Sequence, residues 1–281
     1  MELFEGKVAV ISGAASGIGR ALAEHCAQEG MRVVLADIEE PALAQTAVEM
    51  RIAGTDVLPV VTDVSKAEDL EALARQTLDA YGAVHLLCNN AGVGAGSTVW
   101  ESTLNDWEWT MGVNLWGVIH GLRTFVPLML DQDSEGYIVN TASIVGLIPN
   151  HYGAAYHATK HAIVALSEKL YYDMVQWGGR IGVSVLCPGW VRTGIMDSER
   201  NRPAELADEL VETEMTPEVA AFVAAIRQEC EDGMPPAELA DHVFQAMRAG
   251  KFYILPHEEF LPLVQARADA IVQGQNPPPL S

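Results

Sequence analysis

The chain has 281 residues, 49% of them apolar, and carries 38 acidic against 17 basic side chains, for a formal charge of −21. That balance excludes nucleic acid and anionic membrane surfaces as expected partners, since both call for basic patches. No uninterrupted apolar run approaches the ~20 residues of a membrane span and no signal peptide is expected, so the expectation is a cytoplasmic protein acting on a small molecule. The four cysteines (Cys26, Cys88, Cys187, Cys230) are scattered without a CxxC pair. They read as buried free thiols, and no metal site is expected.

Lys7–Ser12 is a short β-branched apolar run ending on Gly13, and Gly17–Glu29 then shows helical spacing through Ile18, Leu22 and Cys26. The alternation continues with strand 32–37, helix 41–53, strand 57–62, helix 67–81 and strand 84–89. A long helix over 104–130, strand 136–141, helix 152–177 and strand 181–186 follow. Continuous apolar strands alternating with amphipathic helices predict a parallel sheet covered on both faces. Right-handed crossovers make this a doubly wound, Rossmann-type α/β sheet of about seven strands, in one domain over 1–281. After Pro188 the pattern changes, and 197–232 carries eleven acidic and three basic residues. Helices are predicted over 203–214 and 217–231, within a helical acidic insert spanning about 194–233 that would serve as a lid. Helix 235–249, strand 251–255 and helix 257–272 complete the elements, and the proline-rich 274–281 reads as a loose tail.

Ser12-Gly13-Ala14-Ala15-Ser16-Gly17-Ile18-Gly19 closes the first strand and opens the first helix. Gly13 permits the tight turn, Gly17 admits phosphate oxygens close to the backbone, and Gly19 lets helix and sheet pack. The helix N-terminus then offers free N–H groups and a positive dipole end to a pyrophosphate. Asp37 ends the next strand, where a carboxylate accepts bonds from ribose hydroxyls and repels a 2′-phosphate. Ile38 and two glutamates follow it, and Arg20 is the sole cation nearby. NAD is therefore expected rather than NADP. Farther along, Tyr156 and Lys160 stand four apart on one helix and project to the same side. A phenol titrates near pH ~10, and a nearby cation favours the phenolate. With Ser143 holding the same oxygen, this is a unit for moving a proton on and off an alcohol.

These residues together resemble the short-chain dehydrogenase/reductase family in its non-extended branch. The resemblance spans nearly the whole chain and rests on Ser12–Gly19, Asp63-Val64, Asn89-Asn90-Ala91-Gly92, Asn114, and Ser143 with Tyr156-x-x-x-Lys160. It departs at Ser12, where the family has threonine, and the hydroxyl is kept. The resemblance implies that Asp63 and Val64 hold the adenine, and that Asn90, Ala91 and Gly92 pass behind the adenosine ribose. It implies Tyr156 as acid/base and Lys160 as a ligand of the nicotinamide ribose. Asn114 would keep a water in line with Lys160. After Pro188-Gly189, Val191 and Thr193 would grip the carboxamide, and Ser16 and Ile18 belong to the loop over the phosphates.

The pocket is expected over the strand carboxyl ends, walled by Val93, Gly94, Ile144, Val145, His151, Tyr152, Trp190, Ile195 and Met196. No arginine stands among these, so the expected substrate is a neutral, bulky secondary alcohol or its ketone. The segments Gly112–Gly121, Thr124–Pro127 and Phe252–Pro256 are also similar to those of bacterial dehydrogenases acting on benzylic alcohols of lignin-type aryl ethers. The two long helices, apolar over more than one face, predict a homodimer or homotetramer by the family's pattern. Two alternatives stay open at this point: an epimerase or dehydratase on the same fold, and a nucleotide-binding regulator without catalysis.

Overall fold

The computed structural model describes residues 4–94, 97–132, 134–149, 153–207 and 217–279. Its first half is a run of βα units. Strand β1 (Val8–Ser12) leads to helix α1 (Gly17–Gln28), β2 (Arg32–Asp37) to α2 (Glu40–Ile52), and β3 (Val57–Val61) to α3 (Ala67–Tyr81). Strand β4 (Leu86–Asn89) precedes α4 (Leu104–Thr110) and α5 (Gly117–Asp131), which a π-helical turn, Met111–Trp116, joins. Then come β5 (Gly136–Thr141), α6 (Ala154–Gln176), β6 (Ile181–Leu186), α7 (Pro217–Asp232), α8 (Pro236–Arg248), β7 (Tyr253–Ile254) and α9 (Leu261–Val272).

The seven strands form one sheet in the order β3-β2-β1-β4-β5-β6-β7, with every pairing parallel. Val10 sits opposite Val34 on one side and Leu87 on the other, so the sheet centre is branched apolar side chains throughout. Both faces are buried, which is why these strands read as continuous apolar runs rather than alternating ones. One core lies under α1 and α8 around Leu22, Leu35 and Phe244; the other lies under α3, α5 and α6 around Leu73, Phe125 and Ile163. The strand order reverses between β1 and β4. A crevice must open there, above the strand carboxyl ends, because the loops leaving these strands diverge to opposite faces.

Several boundaries depart from the sequence expectations. Strand β4 starts at Leu86, and β7 is only two residues long. The helix expected over 203–214 is not formed in its described part. Pro203 and Ala207 are extended and enclose a three-residue 3-10 turn, Ala204–Leu206, while 208–216 lies outside the described residues. The cause is Arg202, whose guanidinium sits 2.5 Å from Asp106 and 4.6 Å from the Trp109 ring centroid. That double anchorage pins the chain to α4 before a helix can start. The stretch Leu104–Asp131 passes for a membrane span by length and composition, although polar residues interrupt its apolar run. In this fold it packs against α3 and α6 instead.

Candidate active site

The nucleotide crevice begins at the turn after β1. Ser12 Oγ accepts the N–H groups of Asn90 (2.9 Å) and Ala91 (3.1 Å), tying that turn to the loop after β4. Gly13 has φ +67°, and a Cβ there would lie 2.9 Å from Ala91 Cα. A Cβ on Gly19 would lie 2.0 Å from the Gly13 carbonyl oxygen, so helix and turn meet at a distance only glycine allows. Ser16 precedes α1 without a side-chain cap, which leaves the first-turn N–H groups of the helix facing the crevice. A pyrophosphate fits this cradle on charge as well as on shape.

Asp37 closes β2 beside the cradle. Its Oδ2 accepts Ala15 N–H (2.9 Å) and its Oδ1 accepts Glu39 N–H (3.0 Å). Burial pushes its carboxyl pKa up, and those two donors oppose the shift. Arg20 is not available to a phosphate, since Glu24 (2.8 Å) and Glu49 (2.6 Å) hold its guanidinium. Asp63 accepts both Ser65 N–H (3.0 Å) and Ser65 Oγ–H (2.6 Å), which curls the loop after β3 toward the crevice. Val64 packs so closely on Gly117 that a Cβ there would be 2.8 Å from its methyl. Asn90 donates to Ser12 O (3.0 Å) and accepts from Thr141 Oγ (3.2 Å), locking the sheet centre.

Ser143, Tyr156 and Lys160 converge at the floor of the crevice. Burial pushes the Tyr156 phenol up to about 12, against a lowering hydrogen bond from Ser143. Burial likewise takes Lys160 down to about 8. Its ammonium stands 5.3 Å from the Tyr156 ring centroid and donates to Thr141 O (3.0 Å). The resemblance implies that Lys160 lowers the phenol pKa with help from the positive nicotinamide of NAD⁺; without the nucleotide, burial dominates and the phenol stays up. Both groups lie in an apolar pocket, where loss of water outweighs their mutual influence. Asn114 sits on the π-helical turn, fully buried. Its amide clamps Val93, accepting from N (2.8 Å) and donating to O (2.9 Å), and it reaches Thr159 Oγ (3.3 Å). Its side chain thus braces the loop after β4.

The segment after β6 forms the opposite wall. Pro188 O accepts Ile144 N–H (2.8 Å) and Gly189 N–H donates to His257 Nδ1 (3.0 Å). His257 Nε2 then reaches Trp190 O (2.9 Å), which assigns the Nε2–H tautomer from the bonding pattern. No sequence pattern marks this histidine, sixty-eight residues from Gly189. Val191 points into the core, whereas Thr193 faces Gly17, whose added Cβ would meet it at 3.1 Å. Farther on, Ser198 Oγ exchanges hydrogen bonds with Gly94 N and O, both at 3.0 Å. Arg200 (2.7 Å) and Asn201 (2.7 Å) both donate to Glu39 Oε1, so this segment is fastened to the loop after β2.

One cavity of about 1440 Å³ joins these parts. It includes Gly13, Ser16, Gly17, Ile18, Asp37, Ile38, Asp63, Val64, Asn90, Ala91, Gly92, Pro188, Gly189, Val191 and Thr193 on the nucleotide side. Val93, Ile144, Val145, Trp190, Ile195 and Met196 line its other side; His151 and Tyr152 lie outside the described residues. Ile144, Val145 and Ile148 cluster with Tyr156, Phe260 and Val264, which brings α9 over the reactive floor. The expected wall contained no arginine, and here the structure adds one: Arg267 of α9. Pro277–Pro279, read from sequence as a loose tail, also border the cavity.

The short chain dehydrogenase family matches residues 7–204. The chain belongs to that family and is an oxidoreductase. It is 35% identical over 280 residues to a CLA biosynthesis dehydrogenase/reductase of Lactiplantibacillus plantarum, covering 99% of this chain and 97% of that one. It is 30% identical over 279 residues to the C alpha-dehydrogenase of Sphingobium sp. (strain NBRC 103272 / SYK-6), covering 99% and 89%. A solved short chain dehydrogenase/reductase from Burkholderia phymatum, in complex with NAD, superposes over 100% of both chains with a TM-score of 0.95 and 47% identity.

Proposed function

We propose that the protein is an NAD-dependent dehydrogenase that interconverts a bulky, largely apolar secondary alcohol and its ketone, with Tyr156 exchanging the hydroxyl proton. The observation that carries this reading is the Ser143–Tyr156–Lys160 floor within a cavity continuous with the glycine-loop cradle. NAD is favoured over NADP by Asp37 and Glu39 at the end of β2, and by the engagement of both neighbouring arginines, Arg20 and Arg200, with acids. The NAD complex of the Burkholderia phymatum relative supports the same choice.

Bound NAD⁺ supplies the hydride acceptor and a positive charge in the cleft. Ser143 Oγ and Tyr156 Oη share the substrate oxygen, Ser143 orienting it and Tyr156 taking or returning its proton. A phenol held protonated by burial is ready to give a proton to a forming alkoxide. In the oxidation direction the phenolate is needed, and cationic charge in the cleft favours it. Lys160, fixed on Thr141 O, holds the position from which an ammonium reaches a ribose hydroxyl. Asn114 keeps Val93 and the loop after β4 in register with that floor. The apolar wall of Ile144, Val145 and Ile148 keeps water from the reacting carbon. The segment 194–207 and α7, which carry the acidic insert, close over the same space as a lid.

We further propose at least a homodimer through the outer faces of α5 and α6, where Leu130, Tyr172, Val175 and Trp177 are exposed. A single-chain mass by light scattering at micromolar concentration would refute it. The catalytic reading is tested by NAD⁺ reduction over a panel of aliphatic, benzylic and polycyclic secondary alcohols, repeated with NADP⁺. Net NADH production with at least one bulky alcohol is expected. Its absence across the panel points to an epimerase, a dehydratase or a regulator, and a preference for NADP⁺ overturns the role given to Asp37.

A further inference from the structure

We propose that Arg267 is an anion anchor in the substrate half of the cavity, so that the preferred alcohol or ketone bears a carboxylate remote from its reacting carbon. This rests on the alcohol–ketone reading above and narrows its substrate class. Leu263, Arg267, Ala270 and Ile271 line the cavity from α9. Their spacing, i, i+4, i+7 and i+8, puts them on one helix face, and Arg267 is the charged member of an otherwise apolar stripe. Val264, one turn before Arg267, belongs to the apolar cluster that includes Tyr156. The Arg267 backbone therefore stands three residues, ~4.5 Å along the axis, from a side chain packed on the reactive floor.

A guanidinium on an apolar wall gives up part of its hydration, which an oxyanion acceptor in the cavity can replace. Some other arginines of this acid-rich chain have such acceptors. Arg20 is bound by Glu24 and Glu49, Arg200 by Glu39, Arg202 by Asp106 and Glu199, and Arg227 by Asp197. Arg267 is half-buried and has no acidic partner among the described residues. Its helical neighbours three and four positions away, Leu263, Val264, Ala270 and Ile271, are all apolar, so the helix itself supplies none. The occupant that satisfies it is a ligand oxyanion, and a planar fork matches a carboxylate with two parallel bonds. A phosphate ester, carrying nearly two charges, calls for more than one cation. His157, which lines the same space, is held toward its neutral form by burial and does not supply the second.

The test uses matched secondary alcohols, on an aryl and on an alkyl frame, that differ only in a terminal carboxylate or its methyl ester. The full-length enzyme should favour the acid over the ester by about ten- to a hundredfold in kcat/KM, the worth of one charge-assisted hydrogen bond pair. In Arg267→Met and Arg267→Gln that ratio should fall toward one, through KM rather than kcat. Arg267→Lys, which keeps the charge and loses the fork, should retain part of it. As a binding readout, dodecanoate should compete with the alcohol and dodecanol should compete less well, with that difference lost in Arg267→Met. An ester as good as its acid in the unmodified enzyme, or an acid preference that survives Arg267→Met, would overturn the anchor. Turnover of neutral alcohols without any preference for acids sinks the anchor and leaves the alcohol–ketone reading intact. Failure of every alcohol to reduce NAD⁺ sinks both.

Discussion

At the nucleotide end of the cavity the walls come from consecutive βα units, and their polar groups are already fixed by neighbours in the fold. Asp37 is held by two backbone N–H groups, Asp63 by Ser65, and Asn90 by Ser12 and Thr141. At the substrate end, beside Val93, Ile144, Val145 and Trp190, the walls come from late segments distant from one another in sequence: 195–206, α7, α9 and residues 277–279. Apolar contact dominates there, and Arg267 stands without an acid among the described residues. On the proposed function, the two kinds of specificity reside in different kinds of structure. Cofactor choice is built into short-range backbone geometry that any side chain larger than glycine would break at Gly19. Substrate choice depends on how peripheral helices are laid over the floor.

Between the two ends stands Tyr156, and removing its hydroxyl is the severest test of the division. In Tyr156→Phe the nucleotide end keeps every contact described above, so NADH binding by fluorescence should persist. Turnover should fall by about 10²–10⁴-fold, the usual contribution of a positioned general acid or base. A variant that kept full turnover would remove Tyr156 from the mechanism. The same pair of proteins checks the phenol's protonation. The group's pKa is raised from 10.0 to about 12 by burial, so the free enzyme retains this proton while ordinary tyrosines lose theirs. The phenolate absorbance of the unmodified enzyme minus that of Tyr156→Phe should therefore stay flat up to pH 10 and rise only above it. Because the folded state then binds more protons than the unfolded chain, this group destabilises the fold as pH climbs from 10 toward 12. A difference signal appearing below pH 10 in the cofactor-free protein would mean that Lys160 or Ser143 outweighs burial.

The nucleotide end was legible because its determinants are local. A glycine loop between an apolar strand and a helix, with an acid closing the next strand, occupies thirty contiguous residues and has one physical use. The sheet was legible for the same reason, through β-branched runs such as Val8–Ser12 and Ile181–Leu186. Other features leave no local trace. A π-helical turn at Met111–Trp116 alters hydrogen bonding by one residue while leaving apolar periodicity almost unchanged, so the long helix read as uninterrupted. His257 and Arg202 act on partners far away in sequence, and nothing around them marks those partners. Periodicity says which face of α9 is apolar but not that this face looks onto a cavity, so nothing in the sequence singles out Arg267.

The contact that crosses between the two ends is the one whose removal should matter least, yet it separates them most directly. Glu39 Oε1 accepts Arg200 Nε (3.0 Å), Arg200 Nη2 (2.7 Å) and Asn201 Nδ2 (2.7 Å), joining the loop after β2 to the segment over the substrate half. Arg200 holds the Glu39 carboxyl below its usual range, so the pair is ionised at neutral pH. It is half-open to water, and such pairs contribute about 0.2–1 kcal/mol. If this contact restrains the crevice, Glu39→Gln should speed NADH dissociation by up to about fivefold in stopped-flow fluorescence, the kinetic equivalent of that energy. Salt screens an exposed pair, so the difference between the two proteins should shrink at molar ionic strength. The acid-to-ester preference assigned to Arg267 should not move, because no hydrogen bond or ion pair joins Glu39 or Arg200 to Arg267 among the described residues. An unchanged dissociation rate at low salt would show that the two ends are independent, with the cradle around Gly13, Gly17 and Gly19 alone setting how long the nucleotide stays.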